Sequence, residues 1–485
     1  MHQILCTSDH LNEIFSYLSR HTCTVAARVC RLWFTHSIQS IWDTVSVNDT
    51  LRVLSPFDDD GFKQPLLPES WHRFFLYSKN IRQLKCHEIQ HAALRQALLW
   101  RPNVDLLSSK LTLLKWDAPS EYIEYLPSLV TLTLQILQLE LDTIKNTNTL
   151  DIFCKTIPLH SPSLRALEVS FPPADNDTQA ISRSLGELFS LLSELVLIRL
   201  PPHCMTGELF TTLSRLHQLQ ALSLSQYSYS LYMDENIMEM LSKRRFDDDK
   251  ESGKGIPFHS LEKLDIFDSD FMMVEALRRG LQLLKLADLT YLGTPDHTIT
   301  SIESLHRTCP NIEKISIFAD SLPFQAIRSL LKCPALVEIV LNSIVDADLE
   351  DIVTIATNRS SWKSITLPSV KPVSYHALIP FARNCPHLYK LNLTLDSTLG
   401  IPDPSALDVK FSSLTSLEGG LESPDFELAF FLSKIFSKPI EIIGYRSSWK
   451  TLEKLVNFII TTEIKNRTLE DENMLLRTQK CNHNF

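Results

Sequence analysis

One string in this chain of 485 residues has the residue types and spacing of a metal-dependent hydrolase: His87-Glu88-Ile89-Gln90-His91. On a helix, an HExxH string sets two imidazoles one turn apart as zinc ligands and leaves the glutamate beside the bound water as general base. The surroundings argue against that use. His87 comes three residues after Leu84, the second anchor of the strand pattern Ile81-Arg82-Gln83-Leu84-Lys85-Cys86, which leaves the first half of the string at a strand-to-helix turn. A third protein ligand would have to come from Glu121 or Glu124, in the next segments. The string therefore reads as an exposed turn, with zinc hydrolysis as a competing reading that metal analysis of the purified protein would separate. No metal ligand and no cofactor is assigned.

Other routes to chemistry are missing. There is no GxSxG nucleophile elbow. Only 11 glycines are present, and Gly253-Lys254-Gly255 lacks the spaced glycine and the following Ser/Thr of a phosphate loop. The ten cysteines contain no CxxC pair, and Cys309, Cys333 and Cys385 each stand before a proline and an apolar strand pattern, as buried thiols of a reducing compartment do. No catalytic residue emerges, and the chain is expected not to be an enzyme. A net charge of −10 and a pI near 5.9 disfavour nucleic-acid binding. The basic run Lys243-Arg244-Arg245 is cancelled at once by Asp247-Asp248-Asp249. No apolar run approaches a membrane span and no leader pattern opens the chain, so the expected setting is cytoplasmic, nuclear or both, without membrane contact.

What must position any functional residue is a repeat. From residue 81 a motif LxxLxL returns thirteen times, with first positions at Ile81, Leu111, Leu129, Leu164, Leu192, Leu219, Leu261, Leu286, Ile312, Leu336, Trp362, Leu388 and Leu414. From Leu286 onward the spacing holds at 24 to 26 residues. The gap of 42 between Leu219 and Leu261 contains the polar stretch 243–257, read as a loop inserted in one repeat. Amphipathic stretches such as Pro323 to Cys333 and Ser374 to Cys385 lie between the strand patterns, so each unit is a strand plus a helix. Such units bury their apolar faces only by stacking. The fold class is α/β: a small helical N-terminal domain (1–47), a linker or junction (48–80) with loop punctuation around Trp71, Phe74 and Phe75, a solenoid (81–448), and a C-terminal capping helix and tail (449–485).

In the N-terminal segment, Leu11, Ile14, Phe15 and Leu18 recur at helical spacing after the capping candidates Ser8 and Asp9. Val25, Val29 and Trp33 repeat the pattern after Thr22, and Ile38, Ile41 and Trp42 close it. Three short helices have little core of their own, and a unit this small normally needs a partner, a metal or a disulfide. The run from Asn12 to Ser19 (NEIFSYLS), the stretch from Val25 to Trp33 (VAARVCRLW) and the pair Ile41-Trp42 resemble an F-box, with Thr7-Ser8-Asp9-His10 where a Leu-Pro pair usually stands. The Cys-Pro lead-ins and the repeats resemble those of F-box proteins with leucine-rich repeats, though the Asn or Cys expected after each strand is mostly absent, which predicts an irregular solenoid.

The resemblance implies a substrate-recognition subunit of an SCF-type (cullin–RING) ubiquitin ligase. Leu11, Ile14, Phe15, Leu18, Val25, Val29 and Trp33 would serve a Skp-family adaptor and, through it, a cullin. Not all seven can face outward, because some must form the domain's core. Strand residues flanking the buried anchors are expected on the concave face for an unknown target protein: Lys263, Asp265 and Phe267; Lys314 and Phe318; Glu338; Lys390 and Asn392. Mixed aromatic, charged and polar groups suit a protein epitope. The alternative is a repeat scaffold for protein interactions with no ligase role.

Overall fold

A computed structural model of the chain describes residues 7–102, 107, 110–141, 147–172, 178–224, 258–267, 282–292, 302, 305–319, 321–368, 371–419, 426–444 and 448–482. The expected polar loop at 243–257 lies outside the described residues. Contacts divide the chain into two compact units, Met1–Leu261 and Glu262–Phe485.

Unit 1 opens with three helices, α1 (Ser8–Ser16), α2 (Arg20–Ala26) and α3 (Arg31–Trp42). Helix α1 begins one residue earlier than the capping pattern suggested, with Thr7 at its N-cap. Ser19, not Thr22, caps α2, its hydroxyl accepting from the Thr22 amide. The VAARVCRLW stretch is consequently split: Val25 lies in the last turn of one helix and Trp33 in the first turn of another. Strand β1 (Thr44–Ser46) follows at once and pairs in parallel with β4 (Gln83–His87), Val45 beside Leu84. The ladder thus starts inside the helical segment, where Trp42, Val45 and Val47 repeat the spacing of the later anchors. Residues 48–80 carry α4 (Val47–Arg52), the hairpin β2 (Phe57–Asp58) and β3 (Gly61–Phe62), and α5 (Pro68–Ser78). Trp71 and Phe74 are buried, and Trp42 stacks on Tyr77 of α5 at 5.0 Å between ring centroids.

The ladder continues in parallel through β5 (Leu113–Asp117), β6 (Ile136–Glu140), β7 (Ala166–Ser170), β8 (Leu197–Leu200) and β9 (Ala221–Leu224). Helices α6 (His91–Trp100), α7 (Thr147–His160), α8 (Thr178–Leu191) and α9 (Gly207–Ser214) return the chain between strands, with a 3-10 segment (Ser120–Ser128) standing in for one of them. Two copies of the repeat sit in a different phase from the expected one: the buried anchors are Leu134, Leu137 and Leu139 rather than those counted from Leu129, and Leu195, Ile198 and Leu200 rather than those from Leu192. Both stretches contain overlapping LxxLxL strings. The phase that wins pairs Ile136 with Leu113 and Leu197 with Ala166.

Unit 2 is an eight-stranded parallel sheet of β10 (Lys263–Phe267), β11 (Asp288–Leu292), β12 (Lys314–Phe318), β14 (Glu338–Leu341), β16 (Ser364–Leu367), β17 (Lys390–Leu393), β18 (Ser416–Glu418) and β19 (Glu441–Ile443). The short strands β13 (Leu322–Pro323) and β15 (Ile344–Val345) form a separate parallel pair. Its described helices are α10 (Phe324–Leu330), α11 (Leu349–Asn358), α12 (Leu378–Asn384), α13 (Phe426–Ile435) and α14 (Ser448–Asn482). Of the central anchors, Leu264, Ile315, Ile339, Ile365 and Leu391 have no exposed surface, and Leu289, Leu417 and Ile442 are also buried. Gly419 takes the last anchor position after Leu414 and Leu417. Its φ of +143° and a backbone so close that a Cβ would strike the Leu393 carbonyl leave no room for a larger residue.

Repeat junctions are closed by side chains. Ser161 Oγ donates to the Thr131 carbonyl at 2.7 Å, and Arg359 reaches the carbonyls of Leu336 (2.6 Å) and Leu331 (2.8 Å) while lying over the Trp362 ring. At the end of the ladder Asn457 of α14 pairs with both backbone groups of Ile440, and Trp449, Leu452, Val456 and Ile460 are buried. The C-terminal helix therefore covers an edge that would otherwise be bare.

Candidate functional site

The HExxH string spans an element boundary. His87 ends β4, Glu88 has a left-handed φ of 47°, and His91 is the first residue of α6. Asn48 holds the turn from α4, donating to the Glu88 carbonyl at 2.8 Å and accepting from the Gln90 amide at 3.2 Å. His91 stacks on Tyr122. The two imidazoles do not share a helical face, and among the described residues no group of three or more His, Cys, Asp or Glu is arranged to hold a metal ion.

The three N-terminal helices sort the seven expected docking residues into two groups. Leu11 and Phe15, one turn apart on α1, close a core with Cys23 and Ala26 of α2, and Leu32, Trp33 and Ile41 of α3 pack against it. Phe15 and Trp33 meet edge to face at 5.7 Å. Asn12 and His36 tie α1 to α3 through a 2.7 Å hydrogen bond, and the Cys23 thiol, pushed up in pKa by burial, donates to the Phe15 carbonyl. Leu11, Phe15 and most of Trp33 are thus core. Ile14, Leu18, Val25 and Val29 are 38, 37, 55 and 56% exposed. On α2 the division follows helical phase: Cys23 and Ala26 point in while Val25 points out, with Val29 beyond the helix end also exposed.

A second face is the side of the unit 2 sheet that carries the residues between anchors. Register aligns Lys263, Asp288, Lys314, Glu338, Ser364 and Lys390 in one column, and Asp265, Thr290, Ser316, Val340, Thr366 and Asn392 in the next. Phe267, Leu292 and Phe318 align in a third. All eight residues expected on this face occupy these columns. Asp288 and Leu292 belong with them and were missed, although the anchor at Leu286 was itself the signal that β11 repeats the same register. Charges alternate along the first column: Lys314 Nζ lies 3.8 Å from Asp288, and Glu338 accepts from the Tyr389 hydroxyl at 3.3 Å. Partial burial and the Glu338 charge raise the Tyr389 pKa.

At the same register in unit 1 stands an apolar column, Leu113, Ile136, Ala166, Leu197 and Ala221, which forms its own cluster at 3 to 9% exposure. Beside it Gln138 donates to Glu168 at 2.9 Å, and Arg199 pairs with the same carboxylate.

No protein-family profile matches this chain, and no curated protein matches it. Among solved structures it is similar to a chain of the crystal structure of the Rad7 and Elc1 complex in yeast, with a TM-score of 0.35 and 16% identity over 86% of this chain and 93% of that one. A likeness at that score carries no weight for fold or function, and the α/β repeat architecture rests on the strand registers themselves. No described helix is long and apolar enough to cross a membrane.

Proposed function

We propose that this chain is a non-catalytic substrate receptor of an SCF-type ubiquitin ligase. Its N-terminal helices dock a Skp-family adaptor, and through it a cullin, while the repeats hold a target protein. The observation that carries this reading is the sorting of the F-box-like residues: Ile14, Leu18, Val25 and Val29 stay exposed around a small core that is already closed by Leu11, Phe15, Cys23 and Ala26. Catalysis would be by proximity, since holding the target beside a conjugating enzyme replaces a bimolecular encounter with an effectively intramolecular one. The charged and aromatic columns of unit 2 offer the target several polar contacts beside apolar anchors. The competing reading is a repeat scaffold with no ligase role.

The test is co-purification of the full chain with a Skp-family adaptor, compared with a Val25→Asp, Val29→Asp variant. Both substituted side chains are exposed, so the fold should persist, which far-UV circular dichroism checks. A stable complex lost in the variant supports the receptor. Absence of any complex with the folded wild-type chain removes the ligase role and leaves the scaffold.

A further inference from the structure

Unit 1 carries two pairs of like charges that its own fold leaves unanswered. On the sheet face opposite the buried anchors, Lys85 of β4 and Lys115 of β5 are direct partners in register. Two residues further along, Asp117 of β5 and Glu140 of β6 are direct partners as well. Lys85 and Asp117 are exposed, and Lys115 and Glu140 are partly exposed. Among the described residues none of the four takes part in an ion pair or a side-chain hydrogen bond. The residues that flank them in register carry no carboxylate or ammonium: Ser46 beside Lys85, Gln138 beside Lys115, His87 beside Asp117 and Ser170 beside Glu140. Gln138 is engaged by Glu168.

Like charges set directly across a ladder lower stability. The neighbouring strands are arranged otherwise, with Glu168 of β7 paired to Arg199 of β8, and in unit 2 Lys314 lies beside Asp288. Packing gives no reason for the two doublets, and stability given up at a surface is the mark of a place kept for binding. Geometry then separates the kinds of ligand. A polyanion drawn to the lysines would meet Asp117 and Glu140 at once, and the net charge of −10 adds to that repulsion. A protein segment with one acidic and one basic side chain answers both doublets together. The centres of the doublets are offset by one strand and two residues, roughly 8 Å, close to the spacing of alternate side chains on an extended segment, about 7 Å.

We infer that the Lys85–Lys115 and Asp117–Glu140 doublets form a docking surface for a protein segment that presents an acidic side chain to the lysines and a basic one to the carboxylates. The surface selects by the sign and spacing of charge rather than by buried apolar area. The inference does not depend on the ligase reading, since a receptor and a scaffold could use such a surface alike.

The test is selection of a displayed library of random peptides on the full chain. Peptides with an acidic and a basic residue two positions apart should be enriched. A synthetic copy of the selected peptide should bind the variant K85E, K115E about tenfold or more weakly, and raised salt should weaken its binding to the wild type. Exchanging the acidic residue of the peptide for lysine should restore affinity for that variant. In the free chain, K115Q removes the like-charge contact and should raise the unfolding midpoint. All the substituted side chains reach solvent, so the fold should persist, which circular dichroism checks. A library that yields no binder, or binders without the charge pair, overturns the inference, as does affinity that survives K85E, K115E. Inorganic polyphosphate binding as tightly as the peptide would overturn it in favour of a phosphate-rich ligand. A K115Q midpoint below that of the wild type would show that contacts within the chain hold Lys115, and would overturn it too.

Discussion

The two units use one backbone register to opposite ends. In the column just before the central anchor, unit 1 places Leu113, Ile136, Ala166, Leu197 and Ala221 from β5 to β9, after the polar Thr44 and Gln83 of β1 and β4, and unit 2 places Lys263, Asp288, Lys314, Glu338, Ser364 and Lys390 from β10 to β17. The inward anchors do not differ: Leu167 and Leu391 are both fully buried. Stacking dictates the inner positions alike in every repeat, whereas the outer positions are left to whatever the face must do. An apolar column gains from burial and is indifferent to salt. A column of alternating charge gains little stability and much selectivity. By this difference the unit 2 column is the one whose contribution should depend on salt.

The largest effects should be equal in the two units. Leu167→Ala and Leu391→Ala each remove a fully buried side chain from a strand, and each should cost about 2 to 5 kcal/mol. Denaturant unfolding of each variant checks this, with hydrogen exchange reporting each unit separately. A marked inequality would break the premise that the inner repeats are equivalent.

Outer positions should then separate the units. Ile136→Asp places a carboxylate between Leu113 and Ala166 at a site only 4% exposed, and should cost about 3 kcal/mol. Lys314→Ile makes the reverse exchange on a half-exposed site and should change stability by no more than about 1 kcal/mol. Similar losses in both would mean that the faces do not differ in the way their residues imply.

Alkaline pH offers a subtler distinction. Burial pushes the Cys309 and Cys333 thiols from an ordinary 9.0 up to about 11. Folding favours their protonated form, so their contribution is complete below pH 9 and is lost as pH rises toward about 11. Thermal unfolding of unit 2 should therefore move to lower temperature across that window, and Cys333→Ala should make the slope shallower. An unchanged slope would show that the thiol gains access to water in the native state.

Much of this architecture was legible because the LxxLxL anchors are fixed by close packing, and the anchors from Leu261 onward keep the phase assigned from sequence. The phase slipped where the sequence offered two overlapping strings, at Leu129 and Leu192. Only pairing with neighbouring strands decides between such phases, and no single segment contains that information. The start of the ladder at Thr44 was hidden for a related reason: Trp42, Val45 and Val47 satisfy the repeat spacing while Ile41-Trp42 also closes a helix. At the N-terminus, helical spacing identified the apolar residues but could not divide them. Whether Phe15 or Ile14 is inside depends on where α3 crosses, and Trp33 settles it. The apolar column of unit 1 was visible in retrospect as an apolar residue before each central anchor from β5 to β9, a position whose meaning depends on having neighbours in register.

The smallest effect is the most specific to the comparison. Lys314 and Asp288 are directly opposite in register, 3.8 Å apart, with side chains 43 and 26% exposed. At that exposure the pair should contribute well under about 1 kcal/mol, and high salt should remove most of it. A double-mutant cycle with Lys314→Met and Asp288→Asn, run at low and high salt, reads the coupling directly. Stability alone gives such a pair little reason to be there, because the apolar column at the same register in unit 1 shows that this backbone accepts side chains that bury more. Coupling that vanishes in salt would leave recognition as the role of these charges. Coupling that persists would make the column a structural ladder, and the two faces would then differ only in how they hold themselves together.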